Sequence, residues 1–185
     1  MPDKNQLRLS IRAMQPMPPD LRAEKSARLC DAIRLAEAWH TARTVAIFAP
    51  LPGEPDVEML WAHAESRTFA YPRVEGDWLA LHTVRSPLEL QPRQWGLREP
   101  AANPGSAVAP DSMDLILVPG IAFSRSGARL GRGRGYYDRL LSTLPDHVCK
   151  IGVCFDFQLV PELPTDPHDQ AVDLVATESG ILGPS

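Results

Sequence analysis

The chain has 185 residues, 44% hydrophobic and 23% charged, the proportions of a globular protein with enough length for a core covered on two sides. A formal net charge of −4 argues against general nucleic-acid binding, no apolar run is long enough to span a bilayer, and the opening MPDKNQLRLS lacks the apolar core of a signal peptide. Three cysteines, an odd count without metal-ligand spacing, fit unpaired thiols, so a reduced, cytoplasmic setting is expected.

Lys4 to Ala13 is a short helical candidate with Leu7 and Ile11 on one face, broken by Pro16, Pro18 and Pro19. Asp20 is a good N-cap for a second helix, in which Leu21, Leu29, Ile33 and Ala36 share a stripe. Thr44 to Ala49 is a β-rich apolar run, followed by a turn from Pro50 to Pro55 that carries Glu54. Val57 to Ser66 reads as a helix with Leu60 and Ala64 inward, and Thr68 to Tyr71 as a second strand ended by Pro72.

Trp78 to Val84 predicts a strand at or near a sheet edge. Residues 85 to 113, rich in Pro and Ala, read mostly as loop and contain Trp95-Gly96-Leu97-Arg98-Glu99-Pro100. Leu115 to Val118 is short and wholly apolar, as a buried strand should be, and Pro119-Gly120 ends it. A loop of glycines and arginines leads into a helix from Tyr136, with further strands at Lys150 to Phe155 and Val172 to Thr177, and loop from Gln158 to Asp169. Cys149 and Cys154 flank or lie in the Lys150 strand and read as buried thiols. Strands alternate with helices, which predicts one α/β domain over residues 1–185: three layers, α/β/α, around a mostly parallel, doubly wound sheet. Ligands of such sheets bind beyond the carboxyl ends of the strands, where Glu54, the glycine loop and the loop before Val172 would share one cleft.

The glycine loop carries the most chemistry. Glycines let a backbone come close to a ligand, successive amides can form an anion nest, and arginine forks match phosphate oxygens. Residues 125 to 139 hold five Arg against one Asp, an excess of charge that calls for an anion. The loop is neither a P-loop nor GxGxxG. A disordered RNA-binding tail or a purely structural turn are the competing readings, and the flanking strand and helix oppose the first.

The string VPGIAFSRSGARLGRGRGYYDR closely resembles the signature of the 5-formyltetrahydrofolate cyclo-ligase family. The resemblance covers nearly the whole chain, most strongly from Leu115 to Asp138, and implies the family's α/β fold. It implies ATP- and magnesium-dependent cyclisation of 5-formyltetrahydrofolate to 5,10-methenyltetrahydrofolate, releasing ADP and phosphate. The partners implied are therefore a reduced folate and ATP, with no nucleic acid and no membrane, and a monomer is expected.

Residue by residue, the resemblance assigns Lys4, Arg8, Arg129, Leu130, Gly131, Arg132, Gly133, Arg134, Gly135, Tyr136 and Tyr137 to ATP. It assigns Ala49 and Glu54 to the folate, together with Arg132, Gly133, Arg134, Gly135 and Tyr136 of the loop, and gives catalysis to Arg132, Arg134 and Tyr136. Asp138 and Asp169 would hold magnesium. Taken alone, Lys4 reads as a solvated cation, Glu54 as an exposed turn acid, Asp138 as a carboxylate at a helix start and Asp169 as a loop acid or cap. The family's aromatic-Gly-Ile-x-Glu-Pro stretch corresponds to Trp95 to Pro100, to which no catalytic role is assigned. The chain departs from the pattern at Ser124, where the family commonly has Asp, and at Val57, where it often has Thr. Two other readings stand beside this one: a nucleotide- or phosphosugar-using enzyme of the same fold with a different acceptor, and a nucleic-acid-binding protein that reuses the arginine loop.

Overall fold

The computed structural model describes residues 3–64 and 66–183. Three helices come first, α1 (Lys4–Met14), α2 (Pro19–Leu35) and α3 (Glu37–Thr41). Strands β1 (Thr44–Ala46), β2 (Thr68–Glu75), β3 (Trp78–Val84), β4 (Gln91–Pro92), β5 (Arg98–Glu99), β6 (Ala107–Val108), β7 (Leu115–Pro119), β8 (Ala122–Ser124) and β9 (Arg129–Leu130) follow. After α4 (Tyr136–Leu141) come β10 (Cys149–Val153), β11 (Leu159–Val160), β12 (Leu174–Thr177) and β13 (Gly180–Leu182).

The main sheet runs β13-β12-β10-β7-β1-β2-β3-β6. Its middle five strands, β12 to β2, are mutually parallel, and antiparallel pairings add β13 at one edge and β3 and β6 at the other. Strand β7 shows why both faces must be covered. Leu115 and Leu117 pack with Leu29, Ile33 and Trp39 of α2 and α3 on one face. Ile116 and Val118, pointing the other way, pack with Leu140, Leu141 and Val148 on the opposite face. The expected three layers are present, although the second face is covered by the short α4 and its following loop.

A small sheet, β11-β8-β9, sits over that second face. Its anchor is Phe123, which is fully buried. The ring fits only because its neighbours are glycines: a Cβ at Gly152 would lie 2.4 Å from Phe123 Cε1, and one at Gly120 would lie 2.6 Å from Cε2. Buried Gln158 locks the bend beneath, donating from Nε2 to the Ile121 carbonyl at 3.0 Å while its Oε1 accepts from the Phe155 amide at 2.9 Å. Helix α1 lies against this sheet through Ile11, which packs with Ile121, Ala122 and Leu130.

Several expectations are corrected. Strand β2 continues through Pro72 to Glu75, because its pairing with β1 ends at Ala70 and an N–H missing beyond that point breaks no ladder bond. Helix α2 is capped at Pro18 with Pro19 in its first turn, so Asp20 lies inside the helix, and Leu21 is exposed. Val57–His63 forms a 3-10 helix rather than an α-helix, with Asp56 accepting from the Glu58 amide at its start. The loops at 85–113 and 158–169 contain the short strands β4, β5, β6 and β11. The hairpin β8–β9 interrupts the stretch expected to be glycine loop. Cys154 is buried and Cys149 is partly buried.

Candidate active site

One cleft of about 830 Å³ opens at the carboxyl ends of β1 and β7, roofed by the loop between β9 and α4. Its volume suits a substrate-sized ligand. All the residues singled out above line it: Lys4 and Arg8 from α1; Ala49 and Glu54 after β1; Arg129 and Leu130 of β9; Gly131 to Gly135; Tyr136, Tyr137 and Asp138 at the start of α4; and Asp169. Chain topology thus gathers residues from four separate stretches.

The floor is organised by Glu54, only 5% exposed, which excludes the reading of an exposed turn acid. Its Oε1 accepts from Arg132 Nη2 at 2.7 Å and its Oε2 from the Leu51 amide at 2.9 Å. The Arg22 guanidinium fixes the turn from behind by donating to the Glu54 carbonyl at 2.8 Å. Arg132 is held over the floor, while the rest of its guanidinium remains open to the cleft.

Arg129 and Asp138 form a second pair, at 2.7 Å, with both side chains largely buried. Arg129 also donates to the Pro119 carbonyl, and Asp138 Oδ1 accepts from the Gln170 amide as well. Helix α4 begins on Gly135, whose φ of 67° is a left-handed conformation that suits glycine. Burial pushes the Tyr137 phenol up, with negative Glu54 reinforcing the shift and Arg129 opposing it, so this hydroxyl stays protonated.

A third cluster closes the α1 side. Lys4 Nζ donates to Asp166 Oδ2 at 2.6 Å and to Asp169 Oδ2 at 2.5 Å, and Arg8 Nε donates to the Gly131 carbonyl at 2.9 Å. Burial by itself would raise the Asp169 carboxyl, but the bonds from Lys4 and from the Asp166 amide outweigh it and hold the group below its usual range. Burial likewise works to lower Lys4, and its two acid partners reverse that and raise it. Asp166, His168 and Asp169 bring three ligand atoms within 4.8 Å of one another.

The opposite wall is the β4–β5 arm, to which the sequence assigned no catalytic part, only a place in the cleft wall. Trp95 at its tip has a φ of 59°, uncommon for a bulky side chain, and lies 71% exposed with the Arg134 guanidinium 4.5 Å from its ring centroid. Phe48, Leu51, Pro72, Val74, Leu79 and Leu97 make this side apolar. The resemblance of the Trp95 to Pro100 stretch to the family pattern was the hint of this wall. Ser124, the departure from the family pattern, keeps the hairpin turn closed: its Oγ accepts from the Ala128 amide at 3.1 Å, as a short acid could.

Comparison with known proteins decides the family, whose sequence model, described as the 5-formyltetrahydrofolate cyclo-ligase family, matches residues 1–178. The chain belongs to this family. A relative from Mycolicibacterium smegmatis named 5-formyltetrahydrofolate cyclo-ligase is 44% identical over 90 residues, which are 48% of this chain and 46% of that relative. The chain thus matches a little under half the length of this relative. A probable 5-formyltetrahydrofolate cyclo-ligase from Schizosaccharomyces pombe is 26% identical across 97% of both chains. Among solved structures, 5,10-methenyltetrahydrofolate synthetase from Aquifex aeolicus matches with a TM-score of 0.86 at 32% identity, over 97% of this chain and 92% of that one. In the cyclo-ligase-family chain described here, no helix among the described residues is long and apolar enough to cross a membrane.

Proposed function

We propose that this protein cyclises 5-formyltetrahydrofolate to 5,10-methenyltetrahydrofolate at the expense of ATP. The observation that carries the proposal is the convergence, in one cleft, of an arginine-rich glycine loop, an apolar wall and the buried carboxylate of Glu54. Family membership supports the same reading.

A formamide oxygen is a poor leaving group. Its attack on the γ-phosphorus of ATP forms an O–P bond and breaks the bond to ADP. The carbon becomes iminium-like, the neighbouring folate N–H adds to it and gives up its proton to water or phosphate, and the C–O bond then breaks with release of phosphate. Both nucleophiles belong to the substrate, so the protein's work is positioning and charge neutralisation. Arg132 and Arg134 offer donors to the transferred phosphoryl group, and the backbone from Leu130 to Tyr137 surrounds it. Lys4 and Arg8 approach from α1 toward the remaining phosphates. Glu54 accepts from the donor edge of the pterin, which lies over Ala49, while Tyr136 closes the cleft beside the reacting carbon.

The acids fit a magnesium ion. Asp138 and Asp169 each give one oxygen to a protein cation; the second oxygen of Asp138 has no partner among the described residues, and that of Asp169 has only His168 Nε2, 3.9 Å away. Magnesium held by these two acids would neutralise phosphate charge when bound. The protein is proposed to act as a single domain, monomeric and cytoplasmic, with reduced folate and ATP as its partners.

The test is phosphate release from ATP with and without 5-formyltetrahydrofolate. Release should depend on the folate. Equal rates in both conditions would favour an ATPase of the same fold with another acceptor.

A further inference from the structure

The β4–β5 arm carries an arginine that the proposed chemistry does not use. Arg98 lines the cleft beside its apolar wall, and its side chain is 38% exposed. Its Nη2 donates to Glu58 Oε2 at 2.5 Å. Glu58 is recessed, and its Oε1 accepts from the Tyr71 hydroxyl at 3.1 Å. That hydroxyl accepts in turn from Trp61 Nε1 at 2.8 Å. Tyr71 is fully buried in β2, so this chain of bonds ties the arm's cation to the rigid sheet. Two further bonds hold the arm: Arg73 Nη1 donates to the Pro100 carbonyl at 2.7 Å, and the Val74 amide donates to Glu99 Oε1 at 3.3 Å.

This construction exceeds what an arm needs merely to stay in place. A guanidinium has five N–H donors in a fixed fork, and Glu58 takes one of them. The Nε and Nη1 donors of Arg98 have no acceptor among the described residues and are not buried. Nη2 keeps its second N–H, which with Nε or Nη1 makes a planar two-donor edge at the rim of a cleft whose adjoining wall is apolar, an arrangement suited to a carboxylate attached to an aromatic body.

We infer that Arg98 binds a carboxylate of the substrate's glutamate tail, with Glu58 as the positioning residue that sets its fork. This rests on the reduced-folate reading given above and extends it to the far end of the same ligand. The reacting formyl group belongs beside the glycine loop, and the phosphates belong between that loop and α1. The tail, which carries the folate's only carboxylates, leaves past the arm.

Calorimetry with two ligands tests this: 5-formyltetrahydrofolate, and 5-formyltetrahydropteroate, which lacks the glutamate. Wild-type protein should bind the glutamylated ligand about tenfold more tightly, the effect of one charge-assisted hydrogen-bonded contact partly open to water. Arg98→Met should lose that preference and bind the two alike, without weakening for the tail-less ligand. Glu58→Gln, which keeps an acceptor but loses charge, should lose about threefold of the preference. Should Arg98→Met loosen the arm, Arg98→Lys keeps the ion pair without the fork and should still lose part of the preference. Loss of affinity by equal factors for both ligands, or retention of the full preference in Arg98→Met and Arg98→Lys, overturns the inference. Wild-type protein that binds neither ligand overturns the reduced-folate reading itself, and this inference with it.

Discussion

Replacing Asp138 with Asn should cost stability as well as activity, and by more than the same change at Asp169. The Arg129–Asp138 pair is 2.7 Å long with side chains 4% and 15% exposed. Arg129 Nε is buried without a partner, so the guanidinium has no spare solvation to fall back on. Removing one partner of a buried pair typically costs about 3–5 kcal/mol, because the other charge stays buried. Asn still offers an acceptor to Arg129, which places Asp138→Asn near the lower end, about 3 kcal/mol. For a chain of this size each kcal/mol lowers the Tm by roughly 2–4 °C, so a drop of about 6–12 °C is expected. Asp169 is no more exposed, at 14%, but its partner Lys4 is 21% exposed against 4% for Arg129 and keeps Asp166 as a second acid, so Asp169→Asn should cost less, about 1–2 kcal/mol. Urea unfolding of both variants and of Arg129→Met/Asp138→Leu would measure this. The double replacement removes both charges and should be less destabilised than Asp138→Asn. Wild-type stability in Asp138→Asn would refute the idea that Arg129 is held by this carboxylate.

Gly152→Ala puts a Cβ 2.4 Å from the buried Phe123 ring, so it should lower stability by about 1–3 kcal/mol, with the loss relieved by Phe123→Leu in the same chain; an additive loss in the double variant would contradict the contact. Docking of α1 should be insensitive to pH from about 5 to 9. Asp169 is held below its usual pKa, so its contribution is complete above about pH 4 and is lost only as pH falls through that lower folded value. Lys4 is raised, so its contribution is complete below about pH 10 and is lost as pH rises through the higher folded value. The methyl shift of Ile11 in NMR spectra reports the docking, and a midpoint inside the flat window would transfer control of α1 to another group.

The sheet and its cleft were legible because their signals are local. Leu115 to Val118 is too apolar for anything but a strand buried on both faces, and the glycine-arginine run that follows it must sit at that strand's carboxyl end. The hairpin β8–β9 was not legible, since strands of two and three residues are too short to show a period of two. The 3-10 helix at Val57–His63 is seven residues long, and its apolar spacing is equally compatible with an α-helix. Pairings over long separations left no trace either: Lys4 finds its acids 162 and 165 positions away, and Arg98 finds Glu58 40 positions away. Asp138 looked like a simple helix-start acid because nothing in the sequence marked Arg129, nine positions earlier, as its buried partner.

Folate cyclisation and ATP cleavage are proposed to be one event in this cleft. The most direct measurement follows both at once, recording the absorbance of the methenyl product and the release of phosphate in a single reaction of protein, ATP, magnesium and 5-formyltetrahydrofolate. The two should rise together in a one-to-one ratio, and both should stop when either substrate is omitted. Phosphate release without the methenyl product, or product formed without ATP, would contradict it.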